Sequence, residues 1–231
     1  MRILIVSSSG EEINPTLEYM DENWEKISFS EYKKGNLTVF PLVTGYASIF
    51  MPYALAKFHG IEDIDYAIFA GLAAGTTRIV EIGQTVNVGR DILGDVGIEE
   101  SDGTFKDLFK LKFHEPTRFP FFKGEIFNED IINPLKLRVV KNISVNTIPG
   151  TFETIEEINK RYHAEIVTTN GAAFAYSCRM LDVKYLQLRT IYRYLEPTTI
   201  INREKEFAIR NLNKELMKLI EELNYLSRGI S

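Results

Sequence analysis

The sequence predicts an α/β fold in a single domain spanning residues 1–231, built as a three-layer sandwich in which helices cover both faces of a mixed, mostly parallel sheet. Three observations carry this prediction. Continuous apolar runs such as residues 3–6 and 66–70 are typical of strands that are buried on both faces. Segments with helical periodicity alternate with these runs. No internal repeat or low-complexity tract divides the chain.

The first part of the chain predicts four strands and two helices. The strands are residues 3–6, 37–44, 66–70 and 84–88, and the helices are residues 16–26 and 48–59. Asn14 and Pro15 are typical of an N-cap followed by the first helical position, and Gly60 is typical of a helix C-cap. Because proline cannot donate a hydrogen bond to a neighbouring strand, Pro41 predicts that strand 37–44 is bulged or lies at an edge.

Residues 91–134 form an aromatic-rich excursion from this alternation. Their periodicity is weak, and phenylalanine recurs at Phe105, Phe109, Phe113, Phe119, Phe121, Phe122 and Phe127. This aromatic content is too high for a disordered segment. We therefore expect an ordered excursion that covers a pocket or a subunit interface.

Regular alternation returns after the excursion. The predicted strands are residues 137–148, 164–167 and 185–191, and the predicted helices are residues 155–162, 172–181 and 203–226. The last helix carries an apolar stripe at alternating three- and four-residue spacing, formed by Ile209, Leu212, Leu216, Leu219, Leu223 and Leu226. Because fewer than four clean heptads are present, the stripe predicts a single packing helix rather than a coiled coil.

Composition excludes several classes of protein. With 45% apolar and 26% charged residues, the chain has the composition of a soluble globular protein. Its net charge of −5 argues against a general nucleic-acid binder, because phosphate contacts need clustered lysine and arginine. No apolar run is long enough for a signal peptide or a membrane helix, so we expect a cytoplasmic protein with no membrane partner. The one cysteine, Cys178, excludes an intrachain disulfide, and we expect it to be a buried helix residue.

The sequence lacks the common motifs for cofactors and metals. Residues 7–12, after the first strand, contain no dinucleotide fingerprint, and the chain has neither a P-loop nor a G-x-S-x-G elbow. His59, His114 and His163 are scattered without zinc spacing, so we expect them at the surface or at helix ends. We therefore expect no cofactor and no metal, which leaves hydrolase or transferase chemistry on a small organic ligand.

The segment 168–176 predicts where the ligand binds. The apolar run 164–167 leads into Thr168, Thr169 and Asn170, and then into a Gly-Ala-Ala helix entry. Open α/β sheets usually bind ligands where a strand end meets a helix N-terminus. We therefore expect Thr169 and Asn170 to lie in a ligand site.

Motifs along nearly the whole chain resemble the nucleoside phosphorylase and nucleosidase superfamily. In chain order they are residues 1–6, 11–13, 44–45, 71–75, 81–84, 144–150, 171–176, 187–191 and 194–197. The chain resembles in particular the futalosine hydrolases and the methylthioadenosine/S-adenosylhomocysteine nucleosidases. This resemblance implies a phosphorylase-like fold, a small-molecule nucleoside ligand and a homodimer in which a neighbouring subunit closes the pocket. The resemblance to the futalosine hydrolases also implies that the protein acts in menaquinone biosynthesis.

The resemblance implies roles for individual residues. Glu12 matches the carboxylate that activates water near the anomeric carbon, and Asn170 stands where the family has a glutamate that holds the ribose hydroxyls. Arg193 stands where the family has an aspartate or asparagine at the base, and Tyr192 replaces a small serine there. Glu12 and Arg193 are thus the candidate catalytic residues. The further substrate-binding positions that the resemblance implies are Ser8, Ala73, Thr151, Phe152 and Thr169.

These replacements leave more than one function open at this point. The first is a nucleosidase in which Glu12 activates water and a purine-type base leaves. The second is a catalytically lapsed nucleoside-binding or scaffolding protein of the same fold, because Asn170 brings no negative charge and Arg193 is a poor general acid, although it could stabilise a base anion or hold a ligand carboxylate or phosphate. Loss of one preorganised charge commonly lowers a rate by about two to three orders of magnitude. A phosphate-dependent phosphorylase ranks last, since only Arg78 and Arg90 lie near the glycine turns.

Overall fold

The computed structural model describes residues 1–129, 132–197 and 204–228 of the chain. The strands are β1 (Arg2–Ser7), β2 (Glu25–Ser28), β3 (Glu31–Lys34), β4 (Leu37–Val43), β5 (Tyr66–Gly75), β6 (Thr85–Leu93), β7 (Gly97–Glu99), β8 (Phe105–Asp107), β9 (Phe121–Phe122), β10 (Glu125–Phe127), β11 (Val139–Ser144), β12 (Ile166–Thr168) and β13 (Tyr185–Tyr194). The helices are α1 (Gly10–Asn23), α2 (Phe50–Lys57), α3 (Phe152–Tyr162), α4 (Gly171–Met180) and α5 (Lys205–Arg228), with a short 3₁₀ helix at Ile61–Asp63.

Most of these strands belong to one mixed sheet. β1 runs parallel to β4 on one side and to β5 on the other. β13 runs parallel to β5 and antiparallel to β6. Because β12 and β11 also connect β5 to β6, the strands β5, β12, β11, β6 and β13 close into a ring.

The predicted three-layer sandwich describes this architecture only in part. The fold is mixed α/β, and helices cover both faces of the central strand β1 as predicted. Ile3 and Ile5 of β1 pack with α1 and α5, whereas Leu4 and Val6 pack with α2 and α4. The sheet is not a simple open layer, however, because β13 pairs with both β5 and β6.

Helix α1 begins at Gly10, before the predicted N-cap, so that Pro15 lies inside the helix. The prediction of an N-terminus at Asn14 and Pro15 is therefore wrong. Asn213 of α5 supports this turn: its side chain accepts a hydrogen bond from Thr16 N–H (3.0 Å) and donates one to the Glu12 carbonyl (2.9 Å). An undisturbed helix would pair these two backbone groups with each other. The early start places Glu12 in the first turn of α1.

Two other predicted details differ in the structure. Helix α2 ends at Lys57, so Gly60 is not its C-cap; instead Gly60 adopts a left-handed conformation (φ +80°) and precedes the 3₁₀ helix. Strand β4 lies between β1 and β3, but β3 pairs only with its first residues, Leu37–Val39. Within the described residues, Pro41 pairs with Ile5 of β1 alone, as its lack of an N–H requires.

The excursion contains four short strands. β7 and β8 pair with each other, while β10 pairs with the sheet at β6 and carries β9 on its other side. Phe109 and Phe121 pack into the core between the sheet and α4. Phe113, Phe119 and Phe122 remain largely exposed. Residues 130 and 131 of this segment lie outside the described residues.

The remaining sequence-based expectations concern the cysteine, the histidines, membrane-spanning helices and metal ligands. Cys178 is buried in α4, as predicted, and His59 and His163 are exposed. In the described ranges, no helix is long and apolar enough to cross a membrane. No group of three or more histidine, cysteine, aspartate or glutamate side chains is placed there to hold a metal ion.

Helix α5 packs against α1 and the sheet through most of its predicted stripe. Leu212, Leu216, Leu219 and Leu223 are buried, but Leu226 is 44% exposed. Ile220, which the stripe did not include, is buried with them. The prediction of a single packing helix is confirmed.

We expect Leu216→Ala to lower the free energy of unfolding by about 2–5 kcal/mol, because it leaves a cavity in the core. Leu226→Ala is the matched control, since it removes the same atoms from an exposed position; it should change stability by about 0.5 kcal/mol or less. Urea denaturation of both variants measures the difference. Equal losses would contradict the packing of α5 described here.

Candidate active site

The candidate site lies where β1, β5, β12 and β13 meet the first turns of α1 and α4. β1 ends at Ser7 and α1 begins at Gly10. β12 ends at Thr168 and α4 begins at Gly171, so the predicted meeting of a strand end and a helix N-terminus is confirmed. Polar side chains from these elements are buried together at this place.

Glu12 is a buried carboxylate, only 4% exposed. Ser7 Oγ donates a hydrogen bond to its Oε2 (3.0 Å), and the Leu72 N–H lies 3.4 Å from its Oε1. Burial raises the pKa of Glu12, and the nearby positive charge of Arg189 and the Ser7 hydroxyl oppose this rise. Arg189 thus favours the ionised form that a general base requires.

Arg189 is the buried cation of the site and lies in the middle of β13. Its Nε and Nη2 donate hydrogen bonds to Gln187 Oε1 at 3.1 and 3.0 Å, and Nη2 lies 3.4 Å from Asn170 Oδ1. Its guanidinium carbon lies 3.7 Å from the centroid of the Phe69 ring. Burial lowers the pKa of Arg189 to about 10, so the guanidinium remains protonated at neutral pH.

Gly71 of β5 provides the space in which Glu12 and Arg189 approach each other. A methyl group on Gly71 would lie 2.7 Å from Arg189 Nη1 and 3.6 Å from Glu12 Oε2. The Glu12 carboxylate and the Arg189 guanidinium therefore both approach the backbone of Gly71, which has no side chain. Within the described residues, no direct ion pair joins them.

Asn170 and Ser8 complete a group that we name the Arg189 cluster: Ser8, Glu12, Asn170 and Arg189. Asn170 Nδ2 donates to Ser8 Oγ (2.9 Å), and both residues are buried. Although Asn170 occupies the N-cap position of α4, its side chain makes no capping hydrogen bond. Its amide is thus directed to Ser8 and Arg189 rather than to its own helix.

Arg193, the second candidate catalytic residue, lies outside this cluster. It follows a bulge in β13 after Ile191, and its guanidinium lies 5.4 Å from the ring centroid of Tyr192. Both side chains are half-buried, and Arg193 Nε has no hydrogen-bond partner among the described residues. The cation that acts on Glu12 is Arg189.

The other predicted substrate-binding residues have partners outside the cluster. Thr169 Oγ1 donates to the Tyr46 carbonyl (3.1 Å). Ala73 packs with Val80, Val86 and Ile191, Thr151 caps α3, and Phe152 in the first turn of α3 is 73% exposed.

A second polar layer lies behind the Arg189 cluster. Asp91 of β6 is buried and accepts hydrogen bonds from Asn142 Nδ2 and Gln187 Nε2, both at 2.7 Å. Asn142 Nδ2 also donates to Thr168 Oγ1 (2.9 Å). Burial raises the pKa of Asp91 to about 6, although Asn142, Arg189 and Gln187 oppose the rise.

Sequence reasoning missed Arg189 and Asp91 as site residues. Arg189 stands in a strand whose neighbouring residues are buried, and charged residues are almost never fully buried unless they are paired. A charged residue within the predicted strand 185–191 was therefore the signal that could have found Arg189, whereas Asp91 lies beyond the predicted strand 84–88 and follows the exposed Arg90.

The fold matches that of solved nucleosidase structures. Over 96% of this chain it matches 98% of a mutant methylthioadenosine/S-adenosylhomocysteine nucleosidase of Helicobacter pylori with 5′-methylthioadenosine in its active site (TM-score 0.74, 18% identity). It also matches 99% of a futalosine hydrolase mutant of the same organism (TM-score 0.74, 17% identity) and 96% of the nucleosidase of Colwellia psychrerythraea in complex with adenine (TM-score 0.75, 15% identity), each over 96% of this chain.

In sequence, the chain is similar to futalosine hydrolase of Thermus thermophilus. The two are 26% identical over 152 residues, which cover 65% of this chain and 67% of that protein. No family model matches the chain. The predicted resemblance to the superfamily is confirmed by these similarities.

We expect Asp91 to make stability depend on pH. Its pKa rises from 3.8 to about 6 on folding, so its stabilising contribution is fully present below pH 3.8 and is lost as the pH rises through 6. Asp91→Asn has no such carboxyl. The unfolding free energy of the wild type minus that of the variant should therefore fall between pH 4 and 7, by on the order of 2–3 kcal/mol. Urea denaturation at a series of pH values measures it, and a constant difference would contradict the raised pKa.

Proposed function

We propose that the protein is a nucleosidase that hydrolyses the N-glycosidic bond of a nucleoside and releases a purine-type base. The observation that carries this proposal is the buried Glu12 carboxylate beside the buried Arg189 guanidinium, at the strand ends where this fold class binds ligands. The similarity to futalosine hydrolase and to the nucleosidase structures supports it.

In the proposed reaction, Glu12 acts as the general base. Its carboxylate takes a proton from water, the water oxygen attacks the anomeric carbon, and the electron pair of the breaking carbon–nitrogen bond goes to the base. The departing base takes up a proton from solvent, and Glu12 later returns its proton to solvent. The absence of a direct Glu12–Arg189 ion pair among the described residues leaves the Glu12 carboxylate available to water.

Asn170 and Ser8 are proposed to bind the ribose hydroxyls. The Asn170 amide can donate and accept, and the Ser8 hydroxyl can do both. Because both are neutral, the negative charge that favours the cationic sugar comes from Glu12. Arg189 holds Asn170 Oδ1 from the other side and so fixes the amide that faces the sugar.

Arg193 and Tyr192 are proposed to lie on the side of the base. They follow the bulge at the end of β13, beyond Arg189 along the strand. The guanidinium of Arg193 is half-buried, and its Nε has no hydrogen-bond partner in the part of the chain that the structure describes; it suits an anionic group on the base or the charge that develops there. Ala73, Thr151, Phe152 and Thr169 remain predicted substrate-binding positions around this ligand.

Among nucleosides, we propose futalosine and methylthioadenosine as the first substrates to test. Futalosine hydrolase is the activity of the Thermus thermophilus relative, and the structural relatives hold 5′-methylthioadenosine and adenine. Hydrolysis of futalosine would place the protein in menaquinone biosynthesis. A cytoplasmic location is also proposed, and the chain's single, buried cysteine supports it.

Chromatographic detection of free base after incubation with futalosine, methylthioadenosine and inosine tests the proposed function. We expect Glu12→Gln to abolish turnover and to leave nucleoside binding within roughly tenfold, because it removes the base but keeps the shape of the side chain. Glu11→Gln is the matched control, since Glu11 is an exposed neighbour that pairs with Lys205; its turnover should equal that of the wild type.

Unchanged turnover in Glu12→Gln would refute the role of Glu12. If the wild type binds nucleosides in calorimetry but shows no turnover, the proposed enzymatic activity is contradicted. The result would then support the alternative of a catalytically lapsed nucleoside-binding protein.

We further propose that the protein is a homodimer that pairs through α2, α4 and the excursion. Tyr53 of α2 is 68% exposed and Phe119 of the excursion is 57% exposed. Both belong to one side of the molecule, because α2 and α4 share a core and Arg179 of α4 lies over the Phe119 ring. Exposed apolar patches of this kind commonly mark protein interfaces.

Analytical ultracentrifugation measures the mass of the protein in solution and so distinguishes a monomer from a dimer. We expect a dimer that Tyr53→Glu weakens at least tenfold, because the variant buries an unpaired charge in the interface. Phe29→Glu is the control, since Phe29 is 97% exposed in the β2–β3 turn, away from that side. A monomeric wild type would contradict the dimer, and equal effects of both variants would contradict this interface.

A further inference from the structure

We propose that Asp91 is a positioning residue that holds Arg189 in place through the side chain of Gln187. Asp91 lies one layer behind the Arg189 cluster and touches none of its members directly, so it acts on the site through its neighbour. The inference deepens the proposed hydrolysis and rests on it for its kinetic test, but its structural basis is independent of the reaction.

The first link is the hydrogen bond from Gln187 Nε2 to Asp91 Oδ2 (2.7 Å). The same nitrogen lies 3.3 Å from the Gly171 carbonyl, so both of its protons face acceptors. The amide oxygen of Gln187 faces the opposite way and accepts from Arg189 Nε and Nη2. All of these groups are buried.

This arrangement allows only one orientation of the Gln187 amide. If the amide turned over, its oxygen would face the Asp91 carboxylate and the Gly171 carbonyl, and its NH₂ group would face the Arg189 guanidinium. An ionised carboxylate only accepts and a guanidinium only donates. Every hydrogen bond of Gln187 would then be lost in a buried place, where an unmade hydrogen bond is most costly. Asp91 thereby fixes the direction in which Gln187 presents its oxygen.

The second link transmits this orientation to the site. Gln187 Oε1 is the acceptor for two nitrogens of Arg189, and a third contact joins Nη2 to Asn170 Oδ1. Without Gln187 Oε1, the Arg189 guanidinium would keep its contact with the Phe69 ring. It would lose the hydrogen bonds that fix its rotation over that ring. Its distance from Glu12 and its hold on Asn170 would then change together.

Charge explains why an acid stands at position 91. Arg189 is fully buried, and its hydrogen-bond partners Gln187 and Asn170 are neutral. During the proposed reaction Glu12 takes up a proton and loses its charge. Asp91, whose charge reaches Arg189 across Gln187, remains as the counter-charge at that moment. The groups that face Asp91 are Asn142 of β11 and Gln187 and Arg189 of β13, with Tyr185 of β13 near enough for Asp91 to raise its pKa.

A double-mutant cycle on nucleoside hydrolysis tests the chain of contacts. Asp91→Leu keeps the branched shape of the side chain and Gln187→Met keeps its approximate length, and each breaks one link. We expect each to lower kcat roughly 10- to 100-fold through misplacement of Arg189, with KM within about threefold. The double variant should be no slower than the slower single variant, because both changes break the same chain.

Asp91→Asn should recover part of the activity that Asp91→Leu loses. Its amide oxygen can accept from Gln187 Nε2, and its NH₂ group can face Asn142, whose Oδ1 has no partner among the described residues. Thr85→Val is the matched control, since it removes a buried hydrogen bond from the same strand, to Thr190, without touching Gln187; its kcat should equal that of the wild type. An unchanged kcat in Asp91→Leu, or strictly multiplicative losses in the double variant, would overturn the proposal.

A measurement that needs no turnover separates this proposal from the proposed function. With ¹⁵N-labelled arginine, the Nε–H signal of Arg189, assigned through Arg189→Lys, should be protected from solvent exchange in the wild type. Protection should fall at least tenfold in Asp91→Leu and Gln187→Met and persist in Thr85→Val. If Asp91→Leu fails to fold, Asp91→Asn must shift this signal. Unchanged protection and position in the Asp91 variants would refute the positioning role even in an active enzyme, whereas a wild type without turnover would refute only the function.

Discussion

A guanidinium buried in a protein core costs several kcal/mol unless its N–H groups are paired and its charge is balanced. Arg189 meets this requirement through four neighbouring residues, which lie on β5, on β13 and at the N-cap of α4. Gly71 of β5 leaves room for Nη1, Phe69 of the same strand offers its ring face, Gln187 provides the acceptor for Nε and Nη2, and Asn170 before α4 reaches Nη2. The positions of these elements are therefore coupled to one another through a single side chain.

The position of Glu12 depends on a second interaction. A side chain from α5 provides the backbone hydrogen bonds that are missing around the proline inside α1. Pro15 cannot donate its backbone hydrogen bond and ordinarily ends or kinks a helix. Asn213 of α5 satisfies both the Glu12 carbonyl and the Thr16 N–H, so α1 continues on both sides of the proline. The first turn, with Glu12, is thereby tied to α5 rather than only to its own helix. The placement of Glu12, the proposed general base, thus depends on the packing of a helix about 200 residues away in the chain.

Local signals sufficed for the longest buried strands, and failed where a distant contact decides. Continuous apolar runs predicted β1 and β5, because a strand that is buried on both faces has consecutive apolar residues. The start of α1 was missed because the support from Asn213 is tertiary. The closure of the sheet was missed because β13 finds two partners, β5 and β6, that no local pattern specifies. The bulge after Ile191 was also missed, because counting along the chain towards Arg193 does not reveal it.

The neutral amide of Asn170 has a consequence for the charge of the whole site. With Glu12 and Asp91 both ionised, two carboxylates share one guanidinium in a place where burial raises the pKa of each acid. A third acid at position 170, where the resemblance puts a glutamate, would face the same guanidinium and force a proton onto one of the three. Asn170 and Asp91 are therefore best understood together: the second negative charge near Arg189 lies behind it, at Asp91, rather than at position 170. In the proposed reaction, this arrangement keeps Arg189 neutralised while Glu12 changes its protonation state, and Asn170 and Ser8 hold the ribose by hydrogen bonds without a charge of their own.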